Sequence, residues 1–328
     1  MGQLTKQLER IPLAYLPTPL EEMQNLRREL GKCPRILIKR DDQTGLATGG
    51  NKTRKLEFLI ADALQAGADT VITTGGVQSN HCRQTAAAAT KHNLRCVLVV
   101  PGQPFPKEQW DGNLLLSDLL GAEVVWAGEL SRDAMIEETV ANFKRVGAKP
   151  YVIPIGGSVP LGAAGYVAAM EELVSQLSEL EEELDRIVVT SGSGGTHAGI
   201  LVGAKALSLN AKVEGMSNMA IDDIEGTVRE LSIETANFLG LELEFGDDDF
   251  IFHDACGKHG YGVITDSERA GIRLLARTEG IILDPIYTGR AFAQMIALIR
   301  EGVYSQDETI LFWHTGGVSG LFPRAGEL

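Results

Sequence analysis

Basic charge is what this sequence has too little of. Its 328 residues carry 30 lysines and arginines against 44 aspartates and glutamates, a formal charge of −14, and that balance disfavours nucleic acid or an anionic membrane surface as the main partner. Long apolar runs are missing too. No stretch approaches the ~18 uninterrupted apolar residues of a membrane span, and Glu9 and Arg10 stand where an export signal would need its apolar segment. A cytoplasmic protein is therefore expected. Cysteine is scarce, with residues 33, 82, 96 and 256 widely spaced and no CxxC pair, which argues against a zinc site and against a disulfide framework. Only Cys82, at a polar junction between a loop and a helix, has a setting in which a reactive thiol would make sense. The six histidines show neither HxH nor HxxxH spacing, so no metal is expected. No repeat and no linker rich in Pro, Gly or Ser divides the chain.

What is present is glycine and alternation. The 37 glycines exceed the average usage of about 7% and fall in short clusters, the mark of tight turns and of backbone that approaches a ligand closely. Short β-branched runs at 35–39, 70–74, 95–100, 122–126, 151–153, 186–190, 212–216 and 309–313 alternate with amphipathic or Ala-rich stretches, which predicts βαβ units and parallel sheets flanked by helices. The segment 53–66 predicts a helix with Leu56, Leu59, Ile60, Ala63 and Leu64 on one face and Gly67 as its stop. The acidic run from Glu179 to Asp185 reads as a solvated helix face. The length fits two domains or one large α/β unit.

Three glycine-rich turns follow predicted strands, where ligands of a parallel sheet collect: Thr73 to His81, Thr190 to Gly199 and His314 to Gly320. Each is expected to lead into a helix. The second would aim backbone N–H groups and the Ser193 and Thr196 hydroxyls at one spot beside a helix N-terminus, an anion cradle suited to phosphate. A dinucleotide fingerprint competes, with Glu214 about 20 residues on, but His197 takes the place of its third glycine. Lys52 follows Gly49, Gly50 and Asn51 at a helix entrance. The positive potential of that terminus and of Arg54 and Lys55 would lower its pKa towards the neutral amine of imine chemistry. Taken alone, the three cations also read as exposed residues of a first turn.

The segments GGNKTRKLEF, GGVQSNH, SGSGGTHAG, LDPIYTGRA and HTGG, in this order across nearly the whole chain, resemble the D-cysteine desulfhydrase and aminocyclopropane-carboxylate deaminase family. That resemblance implies a pyridoxal 5′-phosphate enzyme of the tryptophan synthase β-like fold (fold type II), α/β in class and homodimeric. It also implies a larger domain of residues 1–48 plus 158–328 and a smaller α/β domain inserted at 49–157. Lys52 would carry the cofactor as a Schiff base, with Asn51 beside it and Asn80 on the phenolic oxygen. Gly192, Ser193, Gly194, Gly195 and Thr196 would hold the phosphate, aided by Lys55. Gln78, Ser79 and Asn80 would lie at the substrate carboxylate, and Tyr261 and Tyr287 match the family's two active-site tyrosines. His81 and His197 read as loop residues near the cofactor.

Two departures narrow the chemistry. In the deaminase branch a glutamate follows the second tyrosine and meets the pyridine nitrogen; here Thr288 stands there, and Thr315 replaces an apolar residue of the deaminase pattern. A hydroxyl sustains a pyridinium less well than a carboxylate does. The resemblance thus points to β-elimination on a small, cysteine-like amino acid, D-cysteine first, giving pyruvate, ammonia and hydrogen sulfide. Lys52 and Tyr287 are both candidates to move the Cα proton. Loss of sulfite from L-cysteate, then cyclopropane ring opening, and from another class a dinucleotide-dependent oxidoreductase, are the alternatives.

Overall fold

A computed structural model describes residues 3–218, 222–255, 259–260 and 262–328. Its strands are β1 (Leu20–Glu22), β2 (Arg35–Arg40), β3 (Thr70–Thr74), β4 (Arg95–Val100), β5 (Glu123–Trp126), β6 (Pro150–Ile153), β7 (Arg186–Ser191), β8 (Lys212–Ser217), β9 (Ile251–Asp254) and β10 (Thr309–His314). They form a six-stranded sheet ordered β1-β2-β10-β7-β8-β9 and a four-stranded sheet ordered β5-β4-β3-β6. Every pairing is parallel except that of β1 with β2. The expected strands recur within a residue at either end. β1 and β9 are additions, both short and both at a sheet edge, and β1 makes the larger sheet mixed rather than purely parallel.

Central strands such as Ile-Val-Val and Val-Leu-Val-Val are buried on both faces because helices cover both. Along β10, Ile310 and Phe312 face one core with Ile36, Ile38 and Val188, while Leu311 and Trp313 face another with Leu37, Ile187 and Val189. No helix of the described residues is long and apolar enough to cross a membrane.

The helix expected at 53–66 is α2 (Lys52–Gln65), after α1 (Gln24–Leu30). Leu56, Leu59, Ile60 and Ala63 are buried as expected, but Leu64 is 37% exposed, and Thr53, Arg54, Lys55, Glu57 and Phe58 are buried as well. The one-sided pattern fails because α2 has protein on every side of its first turns. It packs against the four-stranded sheet and against the later helix Pro160–Leu180. Gly165 permits that contact, since a Cβ there would lie 2.4 Å from the Arg54 carbonyl oxygen.

Burying Arg54 requires counter-charge. Its Nε and Nη2 donate to Asp41 at 2.9 and 2.8 Å, and its Nη1 and Nη2 donate to Glu172 at 3.0 and 2.9 Å. Tyr166 Oη (2.6 Å) and Trp313 Nε1 (2.8 Å) also donate to Asp41. Lys39 donates to Glu172 at 2.5 Å. One cluster thus joins β2, β10, α2 and the helix Pro160–Leu180. Burial alone would raise the Asp41 pKa, but the Arg54 guanidinium outweighs it and holds the carboxyl at about 2.

Asp41→Ala leaves Arg54 buried with half its counter-charge, and the expected loss of unfolding free energy is about 3–5 kcal/mol. A denaturant titration checks it, and an unchanged midpoint would contradict it. Because the folded pKa lies below the unfolded value of about 3.9, this contribution is complete above that pH. It is lost as pH falls through about 2.

Candidate active site

The carboxyl ends of β3, β7 and β10 and the first residues of α2 converge on a cleft of about 1150 Å³. Its walls include Asn51 and Lys52, Thr74 to His81, Pro154 to Gly156, residues of the 190–197 and 284–287 segments, and Thr315. The first two glycine turns lead into α3 (Asn80–Lys91) and, further on, Gly195–Ala206. The third leads into 3-10 turns, Val318–Gly320 and Phe322–Glu327, rather than into an α-helix, contrary to expectation.

Lys52 is the first residue of α2, lines the cleft and makes no hydrogen bond or ion pair to the described residues. Desolvation lowers its pKa to about 8. The cause differs from the one expected: Arg54 is neutralised by Asp41 and Glu172, so it contributes nothing here. Lys55 lies one turn further along α2. It is 1% exposed, its Nζ donates to the Gly156 carbonyl at 3.1 Å and to Ser158 Oγ at 3.5 Å, and no carboxylate of the described residues pairs with it. Burial, then the charge of Lys52, pushes its pKa well down.

This buried amine faces the N-terminus of Gly195–Ala206, close enough that a Cβ on Gly195 would lie 2.7 Å from Nζ. Ser193 Oγ lies 2.8 Å from Ser158 Oγ, and Asn51 Nδ2 donates to Thr196 Oγ1 at 2.9 Å. Gly194, at φ +80°, turns the loop into the helix. A buried cation without a counter-ion, aimed with a helix terminus at one spot, is stable when an anion fills that spot. Gly192 to Thr196 and Lys55 therefore fit the phosphate of pyridoxal phosphate.

The remaining expected residues divide. Ser79 caps α3, its Oγ accepting from Cys82 N at 3.2 Å, and lines the cleft. Gln78 lines it too, but its amide is occupied, donating to Asp111 Oδ1 (2.9 Å) and accepting from Asn113 N (2.8 Å). Asn80 lines it as well, with Oδ1 accepting from Arg83 and Asn113. Tyr287 and Thr315 line the cleft. Thr288 is not in that lining: it is buried, and its hydroxyl donates to Asp284 Oδ1 at 2.7 Å. Tyr261 lies outside the described residues. His81 and His197 sit in the first turns of helices rather than in loops. Burial depresses both, His197 to about 3 and His81 well down with help from Lys52 and Lys55.

Two residues escaped sequence reasoning. Asp284, inside LDPIYTGRA, lines the cleft, but its carboxylate accepts from Ile286 N, Tyr287 N, Thr288 N and Thr288 Oγ1, all within 2.9 Å. It organises the turn that carries Tyr287. Arg83 is buried with no carboxylate partner among the described residues. Cys82 is buried, and desolvation raises its thiol to about 11, an inert setting. Glu214, needed by the dinucleotide reading, is held by Arg186, His253 and Tyr304 and does not line the cleft. Among the described residues no cluster suits a metal ion.

The family described as pyridoxal-phosphate dependent enzyme matches residues 11–316. The chain is 43% identical over 318 residues to the D-cysteine desulfhydrase of Klebsiella pneumoniae (strain 342), covering 95% of each. It is 42% identical over 317 residues to the D-cysteine desulfhydrase of Salmonella choleraesuis (strain SC-B67), again 95% of each. The solved structure of an ACC deaminase homologue superposes with a TM-score of 0.88 at 39% identity, covering 99% of this chain and 96% of that one.

The cradle has a direct test. Inorganic phosphate should raise the melting temperature of the cofactor-free protein, and Lys55→Met should weaken phosphate binding at least about tenfold. Equal phosphate dependence in the two proteins would refute the role of Lys55.

Proposed function

The chain belongs to the pyridoxal-phosphate-dependent enzymes, and on that footing we propose that it is a carbon–sulfur lyase converting D-cysteine and water to pyruvate, ammonia and hydrogen sulfide. The observation that carries this reading is the near-full-length identity, 43%, to a D-cysteine desulfhydrase. The cleft supplies matching chemistry.

When bound, pyridoxal phosphate draws off the electron pair left on Cα as its proton departs. The protein's own groups do the rest. Gly192 to Thr196 and Lys55 hold the phosphate. Lys52, with a pKa of about 8, is partly neutral at physiological pH, so it can attach the cofactor and, once released, take the Cα proton. Tyr287 is the second group placed to move a proton. The N-terminus of α3, with Ser79 and Asn80, receives the substrate carboxylate. Gln78 supports that turn through Asp111 and Asn113.

The preference for elimination over ring opening rests on the same cleft. Asp284 is the carboxylate nearest in sequence to the position where the deaminase branch has its glutamate, and all its hydrogen-bonding capacity is taken by its own turn. Of Thr288 and Thr315, Thr315 is the one in the lining. A ring without an acidic partner suits departure of a good leaving group such as thiolate from Cβ.

A division into residues 1–48 plus 158–328 and an inserted 49–157 is part of the proposal, supported by the confinement of β3 to β6 to residues 70–153. So are a cytoplasmic location, supported by the buried free thiols Cys33, Cys82 and Cys96, and a homodimer, supported by the family resemblance.

Purified enzyme supplied with D-cysteine should release sulfide and pyruvate in equal amounts, and Lys52→Ala should lower the rate at least about a thousandfold. Sulfite from L-cysteate, or α-ketobutyrate from aminocyclopropane-carboxylate, with D-cysteine inert, would overturn the substrate assignment.

A further inference from the structure

Arg83 is a fully buried cation, 0% exposed, on the inner side of α3. Its Nη1 donates to Asn80 Oδ1 (3.1 Å), Asn113 Oδ1 (2.8 Å) and Ser319 Oγ (2.5 Å), and its Nη2 donates to the Gly49 carbonyl (2.6 Å). A guanidinium has donors only. Whatever amide atom faces it must be oxygen, so Arg83 dictates which way round Asn80 and Asn113 sit. With its oxygen turned to Arg83, Asn113 offers its nitrogen to Asn80 Oδ1 (3.0 Å) and to the Gln78 carbonyl (3.0 Å).

Asn80 Oδ1 therefore holds two donors, one of them charged. Its Nδ2 is left without a hydrogen bond to the described residues, in a side chain that lines the cleft. Room for it depends on Gly317, at φ +111°, where a Cβ would stand 3.0 Å from Asn80 Nδ2. A charge-assisted bond to one end of an amide also polarises the other, which strengthens the free N–H as a donor.

We propose that Arg83, with Asn113, is a positioning group that locks and polarises the Asn80 amide so that its N–H faces the anionic ring oxygen of the bound cofactor. This rests on the proposed cofactor site around Lys52. The same guanidinium grips Gly49, three residues before Lys52, so the donor and the attachment lysine are held from one point.

A donor on the ring oxygen favours its anionic form, which absorbs at about 415 nm, over the protonated form at about 330 nm. Asn80→Ala and Arg83→Met should each lower the 415-to-330 nm ratio of the loaded enzyme at least about threefold. Arg83→Lys, which keeps one donor on Asn80, should recover most of it. Asn80→Ala combined with Arg83→Met should show no more than Asn80→Ala alone. Circular dichroism checks folding. If Arg83→Met does not fold, Asn113→Asp keeps a partner for Arg83 but sets an acceptor against Asn80 Oδ1, and should shift the ratio the same way. The proposal is overturned if Asn80→Ala shifts the spectrum while the folded Arg83 or Asn113 variants do not, or if the double variant is additive. A wild-type protein that develops no band at about 415 nm with pyridoxal phosphate overturns the cofactor reading and this proposal together.

Discussion

The buried ion pairs of Arg54 with Asp41 and Glu172 are the constraint on which the rest depends. The Arg54 guanidinium, at 2% exposure, meets a carboxylate on each of its edges, and the carboxylates come from different parts of the chain. Asp41 follows β2, and Glu172 lies on the helix Pro160–Leu180. Satisfying Arg54 therefore fixes α2 between the sheets in position and in rotation. Once that rotation is fixed, Lys52 must project into the cleft and Lys55 towards the Gly192 to Thr196 turn.

Three cations within four residues thus meet three different fates. Arg54 is fully compensated and remains charged. Lys55 is buried with no compensation from the described residues, so it asks for an anion. Lys52 stands at the cleft with neither partner nor anion, and desolvation alone brings its pKa to about 8. The division of labour follows from helical geometry: residues 52 and 55 are about one turn apart and share a side, while 54 points away from them.

Much of this was legible in the sequence. Strand positions followed from β-branched runs bounded by glycine turns, and the Gly192 to Thr196 turn at a helix N-terminus from its glycines and hydroxyls. What escaped has a common cause: it depends on contacts distant in sequence. The one-sided face of α2 misled because the helix is enclosed, which a 3.6-residue period cannot report. Arg54 was credited with depressing Lys52 because its partners Asp41 and Glu172 lie 13 and 118 residues away. Arg83 carried no motif at all, and only the convergence of Gly49, Asn80, Asn113 and Ser319 around it reveals what it holds. β1 and β9 are too short to show a period.

The central claim is that the compensated Arg54 leaves Lys52, and not Lys55, as the lysine poised for imine chemistry. Loading the protein with pyridoxal phosphate, reducing it with borohydride and mapping the modified peptide by mass spectrometry tests this most directly. One pyridoxyl group per chain is expected, on Lys52. Label on Lys55, or spread over surface lysines, would contradict it.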